Sequence, residues 1–488
     1  MMIRTALVFF AVSCMSAVSA ASLTAEAEAA ISSTTGNGNF IIQLNKNSCI
    51  NDFVPKFIDH AYEITAQAAG KDLVKRSNKI VRRDTEEEHV HVFDAYNIGK
   101  DYKAIGVKFE DNSIIKALLE KLGDQVISIA ADRTIQFDLP TLKSRAAKRY
   151  FSRRASAQRK GNLDVESLGK GCANGDNNAS LMKRAVNTTA TEPVVSTQAL
   201  SQSGAEWGLV RISQRTPVDY SKPYVYPNSA GSSAVVYVVD DGLRADHVDF
   251  GGRATLAYSA YSGNDRVGTG HGTHVAGTIG GNTYGVAKKA TLVGVKVLDN
   301  EGSGQISAIL SGLQWVSTNA ASQKGKAIIN MSLGVNTQGQ SDPSFTSLNN
   351  ALNSLVSSGI HVIAAAGNSN ANTCNFLPAG NPNVYAVGAT TKADQMASFS
   401  NYGSCTNINA PGQDIKSTFG SSSTATSVLS GTSMASPHVA GVAALLVDSL
   451  GRPSPAALYS ALSSAATKNA IKSIKSGTPN SLLYNSPA

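Results

Sequence analysis

The chain has 488 residues, of which 42% are hydrophobic and 16% charged, with a formal net charge of +8. That length and balance suffice to bury a sizeable core in more than one domain, which excludes a disordered tail and a fibre. Much of the positive charge sits in "KSRAAKRYFSRRASAQRK", residues 143–160, which lacks apolar periodicity and carries one Tyr and one Phe, so it reads as a solvated linker open to trypsin-like cleavage and not as a nucleic-acid arm.

In chain order, "MMIRTALVFFAVSCMSAVSA" places Arg4 before an apolar run closed by Val18, Ser19 and Ala20, the form of a secretory signal with cleavage expected near Ala20. No later segment offers the ~18 uninterrupted apolar residues of a spanning helix, so the product is expected in solution, secreted to the medium, with a vacuole as the alternative. From Phe40 to Asp138 the pattern is a small α+β domain: strand "FIIQL", helix "VPKFIDHAYEITAQAA", strand "YKAIGVKF", helix "SIIKALLEKLGD" and strand "VISIAA". Leu139 to about Gln202 is basic, then rich in Ser, Asn and Thr, with sequons at Asn178 and Asn187 and a dibasic pair at Lys183-Arg184; it reads as a linker between domains. No internal repeat is evident. From about Ala205 the short apolar runs "SAVVYVVDDG", "ATLVGVKVLD", "AIINMSLG", "HVIAAAGN" and "VYAVGAT" alternate with helix-like stretches, which argues for an α/β fold with a central parallel sheet covered by helices on both faces. Sites in such sheets form at the carboxyl ends of strands. With Cys14 in the signal, Cys49, Cys172, Cys374 and Cys405 remain for an oxidising compartment, and the lack of a CxxC pair favours disulfides over structural zinc.

Three residues fall where that rule puts chemistry. Asp240 ends "VVYVVD", His271 opens "HGTHVAGTIGG", and Ser433 heads "GTSMASPHVAGVAALL", a segment so small and apolar that its helix has to be buried. Each alone has a plainer meaning, Asp240 as a turn former and Ser433 as a helix cap. Together they supply what nucleophilic catalysis by a hydroxyl requires, a base to take the proton and a carboxylate to fix the base's tautomer and stabilise its cation. The helix after Ser433 would aim its amide groups at the developing negative charge.

"VVDDG", "HGTHVAGTIGG" and "GTSMASPHVAG", in that order, resemble the three active-site signatures of the subtilisin-like serine proteases. The likeness continues through "YGVAKKATLVGVKVLDNEGSGQ", "MSLG", "VIAAAGN" and "SFSNYGSC" over nearly all of 205–447, nearest to the proteinase K branch. It implies a secreted serine endopeptidase, made as a self-processing zymogen and acting through an acyl-enzyme. Asp240 would be the orienting carboxylate, His271 the general base and acid, and Ser433 the nucleophile, with the Asn368 amide and the Ser433 N–H forming the oxyanion hole. His274 and His438 match structural positions. A peptide would add as a strand between Gly302-Ser303-Gly304 and Ser332-Leu333-Gly334. Ala365, Ala366 and Gly367 would line the pocket before the scissile bond, and their lack of charge implies broad specificity with an apolar or aromatic bias.

The same resemblance implies a signal peptide at 1–20, an inhibitory propeptide domain at 39–138, a processed linker at 139–202, a catalytic domain at 203–488 and a disulfide between Cys374 and Cys405. Self-cleavage is expected between about Val194 and Gln202, while a Cys49–Cys172 pairing stays open. The chemistry needs no cofactor, and a structural calcium on the carbonyls of Pro382 and Val384 is the one metal site raised, although Asn407 replaces a carboxylate expected there. The partners are protein and peptide substrates and the chain's own propeptide, with no nucleic acid and no membrane, for a monomer. Asp241 departs from the Thr or Ser that usually follows the catalytic Asp, and Val275 from a Cys often found near the catalytic His. A lipase would carry a G-x-S-x-G elbow, whereas Ser433 is followed by Met and Ala; a pseudoenzyme would lack a triad member; and a dibasic-specific convertase would carry acidic pockets.

Overall fold

The computed structural model describes residues 20–32, 38–69, 73–83, 87–137, 139, 199–263, 266–338 and 342–486. The expected signal peptide up to residue 19, the two sequons, the dibasic pair and Cys172 lie outside the described residues.

The first unit runs through α1 (Ala20–Ser32), β1 (Asn39–Leu44), α2 (Ile50–Ala69), β2 (Leu73–Lys75), β3 (Lys79–Arg82), β4 (Glu88–Ile98), β5 (Tyr102–Phe109), α3 (Ile114–Leu122), β6 (Val126–Ala131) and β7 (Thr134–Gln136). A six-stranded sheet has the order β2-β3-β4-β5-β1-β6. Because side chains alternate across a strand, Phe40, Ile42 and Leu44 enter one core with α2 and α3, whereas Ile41 faces the opposite side. Helix α1 packs there too, through Leu23 and Ala30, so this unit begins ahead of the expected residue 39.

The second unit comprises β8 (Ala199–Gln202), α4 (Trp207–Ile212), β9 (Tyr224–Pro227), β10 (Val235–Asp240), β11 (Ala254–Ser259), α5 (His271–Gly280), β12 (Thr291–Lys296), β13 (Ser303–Gln305), α6 (Ile306–Asn319), β14 (Ala327–Met331), β15 (Val335–Asn336), α7 (Pro343–Ser357), β16 (His361–Ala365), β17 (Phe376–Leu377), β18 (Tyr385–Thr390), β19 (Ile408–Pro411), β20 (Ile415–Thr418), β21 (Thr426–Leu429), α8 (Thr432–Leu450), α9 (Pro455–Ala465), β22 (Thr467–Lys468) and β23 (Ser481–Leu482). Since β8 pairs with β9, residues 199–202, ahead of the expected 203, pack with this unit. A nine-stranded sheet has the order β11-β12-β10-β14-β16-β18-β19-β23-β22. Its central pairs are parallel, as the apolar runs imply. The chain builds β11 and β12 on one side of β10 and then crosses to β14 on the other, so Asp240 ends the strand at the switch point.

Val236 and Val238 of β10 face a core with α5 and α8, while Tyr237 and Val239 face one with α6 and α7. Among the described residues α8 is the one helix whose length and hydropathy would suit a membrane span, yet residues 432–445 are all buried. A glycine permits that packing, since a Cβ on Gly441 would lie 2.5 Å from Val286; Gly277 does the same for α5 on β20, where a Cβ would lie 2.2 Å from Thr418.

The first unit lays Ile98, Tyr102 and Phe137 on the core formed by α6 and α7. The Asp132 carboxylate accepts the amide of Ser307 at 2.8 Å and also its hydroxyl, capping a helix α6 whose own N-cap Gln305 makes no side-chain cap bond. Ser354 of α7 accepts from the amides of Lys100, Asp101 and Tyr102 at 3.0, 2.8 and 3.2 Å. Gly99 enters that turn at φ 63°, and a Cβ there would lie 2.2 Å from the Ser354 carbonyl.

Cys374 and Cys405 are bonded across a sequence separation of 31, with Cα atoms 5.2 Å apart, and Cys49 is also disulfide-bonded. Replacing both Cys374 and Cys405 by Ser should lower unfolding free energy by about 3 kcal/mol. Denaturant unfolding of the inhibited enzyme checks this, and an unchanged midpoint would contradict it.

Candidate active site

Asp240 is fully buried at the end of β10. Its Oδ1 accepts from His271 Nδ1 at 2.8 Å and from the Asp241 amide at 2.8 Å. That bond fixes the tautomer with the proton on Nδ1 and leaves His271 Nε2, which has no other partner, as a bare acceptor. Burial disfavours the imidazolium, but the charge and hydrogen bond of Asp240, with the charge of Asp241, outweigh it and raise the His271 pKa above its ordinary value.

Ser433 sits in the first turn of α8, after Gly431 at the N-cap. Four residues on, Pro437 has no N–H to give the Ser433 carbonyl, which would leave a buried acceptor orphaned at a cost of about 1–3 kcal/mol. The Ser332 hydroxyl fills the gap, donating to that carbonyl at 2.9 Å. Asn330 Nδ2 donates to Ser332 Oγ at 2.9 Å, and Asn330 Oδ1 accepts from Ser436 Oγ at 2.8 Å. The Ser433 hydroxyl donates to the Ser332 carbonyl at 3.0 Å, so in this resting arrangement it is not bonded to His271. Hydroxyl–imidazole contacts in hydrolytic sites commonly tighten only when substrate binds.

Asn368 lies beside that turn. Its Oδ1 accepts from the Thr432 amide at 2.7 Å and the Thr432 hydroxyl at 2.9 Å, which commits the oxygen and turns the NH2 group away from Thr432. The preceding Ala365, Ala366 and Gly367 carry no charge, and Gly367 has φ 105° with room for no Cβ, since one would meet Asn401 Nδ2 at 2.2 Å.

The first expected substrate segment is brought against the first unit. β13 pairs antiparallel with β7, matching Ser303 to Gln136, Gly304 to Ile135 and Gln305 to Thr134. The Phe137 amide donates to the Gly302 carbonyl at 3.2 Å, and Leu139 lies where a Cβ on Gly302 would sit. Of the second segment, Ser332 reaches Ser433, Leu333 is buried in the same core as Phe137, and Gly334 follows beside the Leu377 carbonyl.

Pro382 and Val384 fall in the turn before β18, apart from this site. Asn407 spends its side-chain oxygen on the Ala386 amide at 2.6 Å, and among the described residues no three His, Cys, Asp or Glu gather to hold a metal. Neutral carbonyls without a carboxylate do not fit a hard dication, and no step of the chemistry is routed through calcium. His274 donates to the carbonyls of Ile415 and Ser427, His438 to that of Met434, and burial depresses them to about 3 and about 4, as structural histidines. Asn330, Ser332 as a hydroxyl donor, and Thr432 as the anchor of Asn368 escaped the sequence reading. A proline four residues after a helix-heading serine was the signal available, because it announces a carbonyl that needs an outside donor.

Residues 231–480 match the model of the subtilase family of peptidases. The chain is 49% identical over 289 residues to a subtilisin-like serine protease, AsES, of Sarocladium strictum, covering 58% of this chain and 71% of that one. It is 47% identical to a cuticle-degrading protease of Metarhizium anisopliae over 58% of this chain and 71% of the other. With an extracellular serine proteinase of a Thermus strain the identity is 46%, over 58% and 67%. A crystal structure of a cold-adapted subtilisin-like serine proteinase superposes with a TM-score of 0.52 at 45% identity, over 58% of this chain and 99% of that one. With the buried Asp240–His271 pair set at the switch point of a parallel sheet, these likenesses identify the chain as a member of the subtilase family, a subtilisin-like serine-type endopeptidase.

Proposed function

We propose that the chain is the secreted zymogen of a broad endopeptidase in which Asp240 orients His271, His271 takes the proton of Ser433, and Ser433 attacks the peptide carbonyl to form an acyl-enzyme. The observation that carries this is the antiparallel pairing of β7 on β13, next to the Asp240–His271 pair: a segment of the chain's own first unit lies along the edge to which a peptide substrate would add. Residues 39–138 would then act as an intramolecular inhibitor, with Phe137, and Leu139 at the start of the linker, on the substrate edge. The Asn368 NH2 and the Ser433 amide supply donors for the oxyanion; His271 passes the Ser433 proton to the leaving amine as the acyl-enzyme forms, then takes a proton from the water that attacks it and returns that proton to Ser433. The uncharged Ala365, Ala366 and Gly367 favour apolar or aromatic residues before the scissile bond. The extracellular Thermus relative supports secretion to the medium, and nothing favours a vacuole.

A cut after Ala199 would split β8, which narrows the expected maturation site to about residues 194–198. Amino-terminal sequencing of the active enzyme should find its first residue there or at Ala199, and a stable start at Ala185 would contradict it. Ser433→Ala should give a folded precursor that keeps its first unit in pure preparations; self-removal of that unit by the variant would defeat the triad roles. Asn368→Ala should lower kcat roughly 10²- to 10³-fold with little change in KM, the behaviour of a donor that matters in the transition state. Because His271 must be neutral to act and its pKa is raised, the acidic limb of kcat/KM should lie above the ordinary imidazole value of 6.5. A limb below that value would contradict the electrostatics described for the pair.

A further inference from the structure

A second carboxylate, Asp241, directly follows β10 and is fully buried, and the triad itself does not include it. Its Oδ2 accepts from the Thr269 amide at 2.7 Å and from the Thr269 hydroxyl, while Oδ1 accepts from the Gly272 amide at 2.8 Å. These donors bracket His271 in the chain, and Thr269 Oγ1 in turn accepts the His271 amide at 3.3 Å. Close approach is built into the backbone: Gly268 has φ 63°, and a Cβ there would lie 2.2 Å from the Asp241 carbonyl. The charged groups facing Asp241 are Asp240 at the end of β10, His271 on α5 and Lys296 at the end of β12, whose Nζ donates to the Asp241 carbonyl and, at 3.2 Å, to Asn300 Oδ1.

We propose that Asp241 is a positioning residue for the general base: its ionised carboxylate ties Thr269 to Gly272 and so holds the His271 ring against Asp240. The assignment depends on the triad roles proposed above and adds control of them by protonation. Burial first, and then the neighbouring Asp240 charge, push the Asp241 carboxyl up to about 6 from its ordinary 3.8. Protonation turns one of its oxygens into a donor, so an amide or hydroxyl beside His271 loses its acceptor, and it deletes a charge that helps keep the His271 pKa raised. A carboxyl that binds protons more readily folded than unfolded lowers stability as pH rises from 3.8 to about 6. Holding the clamp ionised therefore weakens the fold.

The test uses the full-length precursor and its matured product with Asp241→Asn, and Thr269→Val as a variant that removes a clamp donor without changing charge. Asp241→Asn should lower kcat about tenfold through a less well placed base, with KM within about twofold. Its acidic limb of kcat/KM should move down by about one pH unit, and its thermal midpoint at about pH 8 should equal or exceed that of the unaltered enzyme. Thr269→Val should also lower kcat, with no downward move of the limb. An unmoved limb at unchanged kcat in Asp241→Asn, or a raised KM at unchanged kcat, would overturn the proposal. Should Asp241→Asn not fold, an unaltered kcat in Thr269→Val overturns it alone and a lowered one upholds it. Self-removal of the first unit by Ser433→Ala would instead overturn the triad roles, so the two failures are distinguishable.

Discussion

Charge without water at the end of one strand is the condition on which much of this structure depends. A carboxylate taken out of solvent has to find donors within the protein. Asp240 finds them in His271 and the next amide, and Asp241 in Thr269 and Gly272. Meeting both demands fixes the loop through residue 272 and therefore the start of α5. The direction of α5 brings it against β20, where Gly277 leaves space that no larger residue would, and against α8, where Gly441 does the same. Requirements of hydrogen bonding at a few atoms are thus transmitted as requirements of volume further along the helix.

The other half of the site depends on one missing N–H. Pro437 deprives the Ser433 carbonyl of its helical partner, and Ser332 answers from the residue just beyond β14. The residue that completes the helix of Ser433 is also the first residue of a segment expected to receive substrate. Ser332 touches Ser433 twice, by hydroxyl and by carbonyl, so movement of that segment cannot leave the serine unaffected. Geometry at the Ser433 hydroxyl and geometry along the edge proposed for substrate are one arrangement.

Much of the second unit was legible in the sequence, because strands covered on both faces are nearly continuous apolar runs, and the five that were anticipated appear as β10, β12, β14, β16 and β18. The hairpin strands β2 to β4 were not anticipated. β4 carries a register shift between Val92 and Asp94, which breaks the alternation that announces a strand. Asp240, His271 and Ser433 were visible because each opens or closes an element. Contacts such as Asp132 capping α6 from 175 positions away, or Ser332 serving Ser433 from 101 away, follow only from tertiary packing. Asn407 stands out in the sequence as a substitution, but its bond to Ala386 belongs to the folded chain alone.

The first unit grips the second at two separate places. One is the edge strand β13, where backbone pairs with backbone. The other is the outer surface of α6 and α7, where Asp132 and Ser354 make their bonds. While the chain is continuous, both contacts are intramolecular and benefit from a high effective concentration. If the linker is cut as proposed, the helix contacts persist and keep delivering β7 to its edge, so severing the chain and freeing the cleft become distinct events. Release then becomes a matter of mass action, and dilution in the medium would be as much a part of activation as the cut itself.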